Sequence, residues 1–79
     1  MEIHVKLYGS LRRFSQPDTP GLWLGEIPRG SRLRELIDRI GIPEKEIWLA
    51  AINGAANTFD TEIPEGAKVI FVTARGSGG

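Results

Sequence analysis

The sequence predicts an α+β fold in which a mixed sheet carries one main helix on one face. The prediction rests on four short apolar segments with strand character, one amphipathic segment of helical period, and a chain too short for a second core. The 79 residues contain no cysteine, and ten basic side chains balance ten acidic ones. A domain of this size buries only about 60% of its unfolded surface. One core must therefore use nearly all of the apolar residues.

The first two strands are predicted near the N-terminus. Apolar Ile3, Val5 and Leu7 alternate with polar residues over 2–8, which is the period of a strand with one buried face. A loop rich in proline and glycine follows, and the short apolar segment 22–27 has the composition of a second strand. These two strands should form a hairpin with a long, irregular connection.

The helix is predicted from apolar residues spaced three and four apart between Leu33 and Ile40. That spacing puts the apolar side chains on one stripe and leaves the charged ones on the opposite side. Ser31 is predicted to cap the N-terminus, because a hydroxyl placed just before the helix can accept from a free backbone N–H. Gly41, followed by Pro43, is predicted to end the helix in a left-handed conformation.

The C-terminal half predicts two more strands. The nearly continuous apolar run 47–52 suggests a strand that is covered on both faces or that lies at the sheet centre. The pair Asn53-Gly54 is a strong turn signal, residues 58–63 are irregular, and 68–74 predicts the last strand. Trp23 and Trp48 are predicted to be core residues.

This order of elements predicts a ubiquitin-like β-grasp of four to five strands, with the helix packed on one face. The first and last strands should be parallel neighbours at the sheet centre, because the helix lies in the crossover between them. Residues 1–74 are predicted to form this domain. Residues 75–79 are predicted to form a flexible tail, since the run Arg-Gly-Ser-Gly-Gly cannot pack.

The tail is the most informative segment for function. It ends at Gly78-Gly79, and a carboxylate on residues without Cβ atoms can be threaded into a narrow enzyme slot and activated. Arg75 and Gly76 are predicted to contact the partner and guide the tail. The alternative is an idle tail that happens to end in glycine.

Composition argues against several other functions. The balanced charge gives no net positive field that would attract nucleic acid. No apolar segment is long enough to span a membrane, and no signal peptide is visible. The expected compartment is the cytoplasm. A single histidine, His4, with no cysteine leaves little for metal or triad chemistry. No metal or cofactor is expected to bind this chain, and His4 is expected at a polar strand position.

A docking surface is predicted on the sheet face that the helix does not cover. That face should carry apolar residues from the runs 48–52 and 69–72, and an exposed apolar patch is a candidate binding surface. Val69 and Phe71 are predicted to contact the activating enzyme. A charge at either position is expected to weaken that complex without unfolding the domain.

The chain resembles the MoaD and ThiS families, the small sulfur-carrier proteins of molybdopterin and thiamine biosynthesis. The likeness runs over essentially the whole length. It rests on the opening segment 5–12, the helix after Gly30-Ser31, the segments 51–54 and 63–69, and the terminal Gly78-Gly79. The Asn-Gly turn and the terminal pair are specific in combination, whereas each alone is weak.

The resemblance implies a function at the tail. An adenylating enzyme of the ubiquitin-activating type, using MgATP, would join the Gly79 carboxylate to AMP. A sulfur donor would then displace AMP and leave a thiocarboxylate, which donates sulfur to a cofactor precursor. The chain would be a protein co-substrate or the small subunit of a synthase complex, with a cofactor synthase subunit as a further partner, and would not itself be an enzyme.

One departure leaves the branch of the family open. Many molybdopterin-type carriers have paired prolines shortly before the terminal glycines, whereas residues 73–77 here read Thr-Ala-Arg-Gly-Ser. The run 72–74 leans toward the thiamine type. Two other functions stay open: a ubiquitin-like modifier conjugated to lysines through Gly79, and a non-covalent β-grasp binding module with an idle tail.

Overall fold

The computed structural model describes residues 1–73. The strands and the helix are β1 Glu2–Leu7, β2 Leu22–Glu26, α1 Leu33–Ile40, β3 Ile47–Ile52, β4 Ala55–Ala56 and β5 Lys68–Thr73. Two 3₁₀ helices, Gly9–Phe14 and Glu44–Glu46, precede β2 and β3. The predicted order of strands around one main helix is confirmed.

The strands form one mixed sheet in the order β2-β1-β5-β3-β4. β1 and β5 are parallel, whereas β1 with β2, β3 with β5, and β3 with β4 are antiparallel. The predicted parallel pairing of the first and last strands is therefore confirmed, and β5 is the central strand. Asn53 and Gly54 have φ angles of 51° and 85°, as a tight turn between β3 and β4 requires.

The core lies between α1 and one face of the sheet. The alternation in β1 is confirmed, because Ile3, Val5 and Leu7 are buried while the residues between them are exposed. The apolar stripe of α1 joins the same cluster through Leu33, Leu36 and Ile37. Further members from the other strands and loops include Leu11, Ile27, Ile42, Ala50, Ile52, Ile63, Val69 and Phe71.

The helix begins differently from the prediction. Its N-cap position is Arg32, and the Ser31 hydroxyl instead donates to the Pro28 carbonyl at 2.6 Å. The first free N–H groups of α1 are satisfied by a distant loop: Leu33 N–H donates to the Thr61 carbonyl at 3.0 Å, and Arg34 N–H donates to the Phe59 carbonyl at 2.8 Å. The prediction of Ser31 as N-cap was wrong because these tertiary carbonyls already accept the bonds that a capping hydroxyl would accept.

Glu35 and Gly41 complete the two ends of α1. The Glu35 carboxylate accepts from the Arg32 N–H at 2.9 Å, which is one half of a capping box. Gly41 has a φ of 93°, and its N–H donates to the Ile37 carbonyl at 2.9 Å. The predicted left-handed end of the helix is confirmed.

β3 is not covered on both faces, and it is not the central strand. The pairing of β3 with β5 shifts register between Ile47 and Leu49, so Trp48 lies at a bulge. Its side chain is 66% exposed, and the prediction that Trp48 is a core residue was wrong. Trp23 is half-buried and packs against the core from β2.

Candidate functional site

The carboxyl end of β5 leads into the predicted reactive tail. β5 is held between β1 and β3, and its last residue is Thr73. The predicted reactive residues Gly78 and Gly79, and the predicted contacts Arg75 and Gly76, lie outside the described residues. The geometry that bears on the tail is therefore that of Thr73 and its neighbours.

Thr73 is in close contact with the start of the first 3₁₀ helix. Gly9 has a φ of 62°, and a Cβ placed on it would lie only 2.3 Å from Thr73 Cγ2. The Ser10 and Thr73 hydroxyls are hydrogen-bonded at 2.8 Å. Two residues back along β5, the Tyr8 N–H donates to the Phe71 carbonyl at 3.1 Å. The end of the central strand is thus in contact with three consecutive residues after β1.

Arg13 ties this region to the segment before β3. One guanidinium nitrogen donates to the Ser10 carbonyl at 2.9 Å, and the other forms an ion pair with Glu46. The same guanidinium lies 4.5 Å from the centroid of the Phe14 ring, a cation–π distance. Because Glu46 immediately precedes β3, the 3₁₀ helix is connected to two of the strands at this end of the sheet.

An apolar surface lies beside Thr73 on the sheet face opposite α1. We call it the open face. Directly opposed residues share a face of a sheet, and the pairs Leu49–Val72 and Ala51–Ile70 have their side chains away from the core residues. Tyr8 continues the outward alternation of β1 just beyond Leu7, and Trp48 lies at the bulge next to Leu49. These two are the exposed large apolar residues of the described chain, at 47% and 66%.

Val69 and Phe71 do not belong to the open face. They are 1% and 0% exposed and pack in the core beneath α1, so the prediction that they lie on the uncovered sheet face was wrong. The neighbours Ile70 and Val72 carry the apolar surface of β5 instead, and both are partly exposed. In the run 69–72 every residue is apolar, so the sequence alone gave no sign of which alternate pair faced the helix.

Two lysines and a histidine occupy the middle of the open face. His4 lies opposite Lys68 on β5, and Lys6 lies opposite Ile70. With Leu22 they line a shallow groove of about 260 Å³. His4 is exposed, as expected for a polar strand position, and its ring lies 3.4 Å from the Glu2 carboxylate. The alternation along β1 identifies Lys6 as an outward residue, although sequence reasoning did not select it.

Several arginines elsewhere are already paired with carboxylates. Arg29 pairs with Glu65 at 3.0 Å. Arg34 donates to Glu44 at 2.8 Å and to Asp60 at 3.3 Å, and the hydrogen bonds and charges of these two carboxylates raise the pKa of Arg34. By contrast, within residues 1–73 neither Lys6 nor Lys68 forms an ion pair. The open face therefore has positive charge available to a partner.

Within residues 1–73 there is no group of three or more histidine or acidic side chains that could hold a metal ion. In the same range, no helix is long and apolar enough to cross a membrane. What this part of the chain does offer is a rigid strand end beside an apolar and cationic face.

The chain matches the model of a known protein family over nearly its whole length. Residues 1–74 match the model of the family described as Mut7-C ubiquitin. The chain belongs to the Mut7-C ubiquitin family. The match covers the whole β-grasp, and it confirms the predicted affiliation with ubiquitin-like proteins of the MoaD/ThiS type. Among curated proteins, none matches the chain.

A solved structure shows the same fold. It is the protein from Pyrococcus furiosus named "Putative molybdopterin converting factor, subunit 1", with a TM-score of 0.68 and 24% sequence identity. The match covers 91% of this chain and 95% of that one. The predicted β-grasp is therefore confirmed over nearly the full length of both proteins.

Proposed function

We propose that this Mut7-C ubiquitin chain is a sulfur carrier whose Gly79 carboxylate is adenylated and then converted to a thiocarboxylate. The observation that carries the proposal is the position of β5. The central strand of a MoaD-like β-grasp ends at Thr73, and a short run finishing in Gly78-Gly79 follows it in the sequence. A rigid strand can hold the body of the carrier on an enzyme while the glycines enter a narrow slot.

The chemistry requires a partner enzyme. A carboxylate is a poor acyl donor because its oxygen is a poor leaving group. Attack of the Gly79 carboxylate on the α-phosphorus of ATP releases pyrophosphate and makes an acyl adenylate. The sulfur of a persulfide donor then attacks the carbonyl carbon and displaces AMP, and a thiol reductant cleaves the resulting S–S bond to free the thiocarboxylate. Magnesium and cationic groups must offset the phosphate charge, and an adenylating enzyme of the ubiquitin-activating type would supply them.

The open face is the proposed docking surface for that enzyme. Tyr8, Trp48, Leu49, Ile70 and Val72 replace Val69 and Phe71 as the proposed contacts. Residues 74–79 reach at most about 20 Å when fully extended. The enzyme must therefore bind the domain close to Thr73, and the apolar part of the open face adjoins that residue.

Charge on the open face suggests the chemistry of the partner surface. Lys6 and Lys68 border the apolar patch and have no ion pair among the described residues. Complementary charge mainly increases the rate and specificity of association. We therefore propose an apolar partner surface bordered by acidic residues. Arg75 and Gly76 remain proposed contacts within the tail.

The carrier would act in the cytoplasm as a co-substrate or as the small subunit of a synthase complex. The sulfur acceptor would be a precursor of molybdopterin or of thiamine. The name of the Pyrococcus furiosus protein favours the first, whereas the sequence before the terminal glycines leans toward the second. The proposal requires Gly79 to be the last residue of the mature protein.

A gene replacement in the native host tests the proposal and identifies the acceptor. The chromosomal gene is replaced by one that lacks the codons for Gly78 and Gly79, and Arg39→Glu on the exposed side of α1 serves as the control. We expect the truncated strain either to require thiamine or to lose molybdoenzyme activity, while the control strain behaves as wild type. Normal growth and normal molybdoenzyme activity in the truncated strain would favour the idle-tail module. Lysine-linked conjugates of the intact chain would favour the modifier.

A further inference from the structure

Gly9 packs against Thr73 with no room for a side chain. A Cβ on Gly9 would lie 2.3 Å from Thr73 Cγ2 and 3.1 Å from Thr73 Cβ. The φ of Gly9 is 62°, a region that residues with a Cβ adopt at a cost. Gly9 is therefore required both by its own backbone conformation and by its neighbour.

The second half of the contact is polar. The Ser10 hydroxyl lies 2.8 Å from the Thr73 hydroxyl, while the Thr73 methyl group is against Gly9. A β-branched side chain has few χ1 rotamers, and here both of its branches are in contact. The Thr73 side chain is therefore held in one orientation at the point where β5 ends.

The first 3₁₀ helix is itself anchored. Arg13 donates to the Ser10 carbonyl at 2.9 Å and pairs with Glu46, and Leu11 is fully buried in the core. The contact with Thr73 is thus made by a segment that is fixed from two sides. A displacement of Thr73 relative to the sheet would have to break these interactions.

We propose that Gly9 and Ser10 are positioning residues that fix the direction in which residues 74–79 leave the sheet. This inference rests on the proposed function, because a fixed direction matters only if the tail must enter a slot. Activation depends on placing the Gly79 carboxylate against ATP, and a misplacement of about 1 Å can cost on the order of 100-fold in rate. On this proposal, a fixed Thr73 gives the tail a fixed starting point when the domain is docked on the enzyme.

The test compares two glycines that both have positive φ. Gly9→Ala introduces a clash with Thr73, whereas Gly30→Ala at φ 84° meets no atom within 4 Å. Gly30 lies in the loop before α1, so this control carries backbone strain without a contact to Thr73. The readout is the fraction of chains isolated from the native host that carry a thiocarboxylate, measured by mass after alkylation. We expect Gly9→Ala to lower that fraction at least about tenfold relative to Gly30→Ala, given the positional sensitivity above.

A rescue variant separates positioning from general damage. Thr73→Ser removes Cγ2, the atom nearest to the added methyl group, and keeps the hydroxyl that bonds Ser10. The double variant Gly9→Ala/Thr73→Ser should therefore recover most of the thiocarboxylate. If Gly9→Ala fails to fold, Ser10→Ala replaces it, because that change removes only an exposed hydroxyl. Equal thiocarboxylate fractions in Ser10→Ala and wild type would then overturn the inference.

A measurement on the purified chain keeps the inference separate from the proposed function. Three-bond NMR couplings of Thr73 report whether χ1 is fixed or averaged. We expect one rotamer in wild type and Gly30→Ala, and averaging in Ser10→Ala. An averaged Thr73 in wild type would overturn the positioning role whatever the tail does. A fixed Thr73 on a chain that never carries sulfur would instead count against the proposed function.

Discussion

At the scale of single residues, Phe71 and Ile70 are adjacent on β5 and have opposite roles. Phe71 is fully buried in the core, whereas Ile70 is partly exposed on the open face. Truncation of a buried phenylalanine removes its packing and leaves a cavity, which costs about 3–5 kcal/mol. We expect Phe71→Ala to lose that much free energy of unfolding in urea and Ile70→Ala to lose much less. Similar losses for the two variants would contradict the assignment of faces.

The same two residues show how far a sequence can predict a face. In β1 the polar residues mark the exposed side, so the burial of Ile3, Val5 and Leu7 follows from alternation alone. In β5 residues 69–72 are all apolar, so this run has no polar residue to mark which side of the strand faces solvent. The pairing of β5 with β1 decides which residues face the core, because the parallel alignment places Val69 beside the inward-facing Val5.

Trp48 shows a second limit of the sequence. A large apolar side chain within an apolar run is expected to be buried. The register shift between Ile47 and Leu49 instead leaves the Trp48 side chain exposed to solvent. A bulge adds one residue to one strand of a pair and re-aims the side chains around it. No local signal in the run 47–52 marks that extra residue, because it depends on how β3 aligns with β5.

At the scale of elements, the outer edge of β2 is covered by a side chain from the preceding loop. The Gln16 amide donates to the Leu24 carbonyl at 2.6 Å and accepts from the Leu24 N–H at 3.1 Å. The side chain thus pairs with the strand as another backbone would. Free strand edges are sites of association with other chains, so we infer that Gln16 protects this edge.

Substitution of Gln16 tests that protection. Each lost hydrogen bond costs about 1 kcal/mol, so Gln16→Ala should lower the free energy of unfolding by about 1–3 kcal/mol and speed hydrogen exchange at Leu24. Gln16→Glu keeps an acceptor for the Leu24 N–H but loses the donor, so we expect it to protect that amide more than alanine does. Unchanged exchange at Leu24 in Gln16→Ala would contradict the role of the side chain.

The helix α1 shows which features of an element depend only on nearby residues and which depend on distant ones. The apolar stripe and the end at Gly41 were predicted correctly, because periodicity and a left-handed glycine depend only on nearby residues. The start was wrong because the Phe59 and Thr61 carbonyls accept the first N–H bonds of α1. Those carbonyls are separated from the helix by the whole of β3, so no pattern near Ser31 could have identified them.

At the scale of the whole molecule, the domain has two sheet faces with different roles. One face carries the core under α1. The other presents an apolar patch beside the end of the central strand, with Lys6 and Lys68 nearer the start of that strand. The predicted function concerns residues outside the described range, and the open face is the surface that we propose brings them to a partner. The sequence predicted that such a face existed but not which residues form it.

A charged substitution on the open face should weaken docking to the partner without destabilising the fold. Val72→Asp places a carboxylate beside Leu49 on a partly exposed surface, where it disrupts an apolar contact with the partner while the core is untouched. We expect a large drop in the thiocarboxylate fraction in the native host, with the urea midpoint close to that of wild type. Arg39→Glu on α1 is the matched control and should leave both quantities unchanged. A thiocarboxylate fraction equal to that of wild type in folded Val72→Asp would show that the open face does not bind the activating enzyme.

The cations of the open face should act mainly through the rate of association. Reversing Lys6 and Lys68 to glutamate should slow ATP-dependent activation in native-host extract and reverse its salt dependence, because attraction between opposite charges is screened by salt while repulsion is relieved. The rate for wild type should fall as salt rises. Identical salt profiles for the two proteins would show that the partner surface is not acidic.

The central claim is that the Gly79 carboxylate carries sulfur. The most direct measurement is the mass of the chain and of its C-terminal peptide after isolation from the native host and treatment with a thiol-alkylating reagent. Because the sequence contains no cysteine, no side-chain thiol competes, and a chain lacking Gly79 serves as the control. We predict an alkyl adduct on the peptide that ends in Gly78-Gly79 and none on the control. An unmodified carboxylate on every molecule, in cells that are actively making molybdopterin and thiamine, would contradict the account.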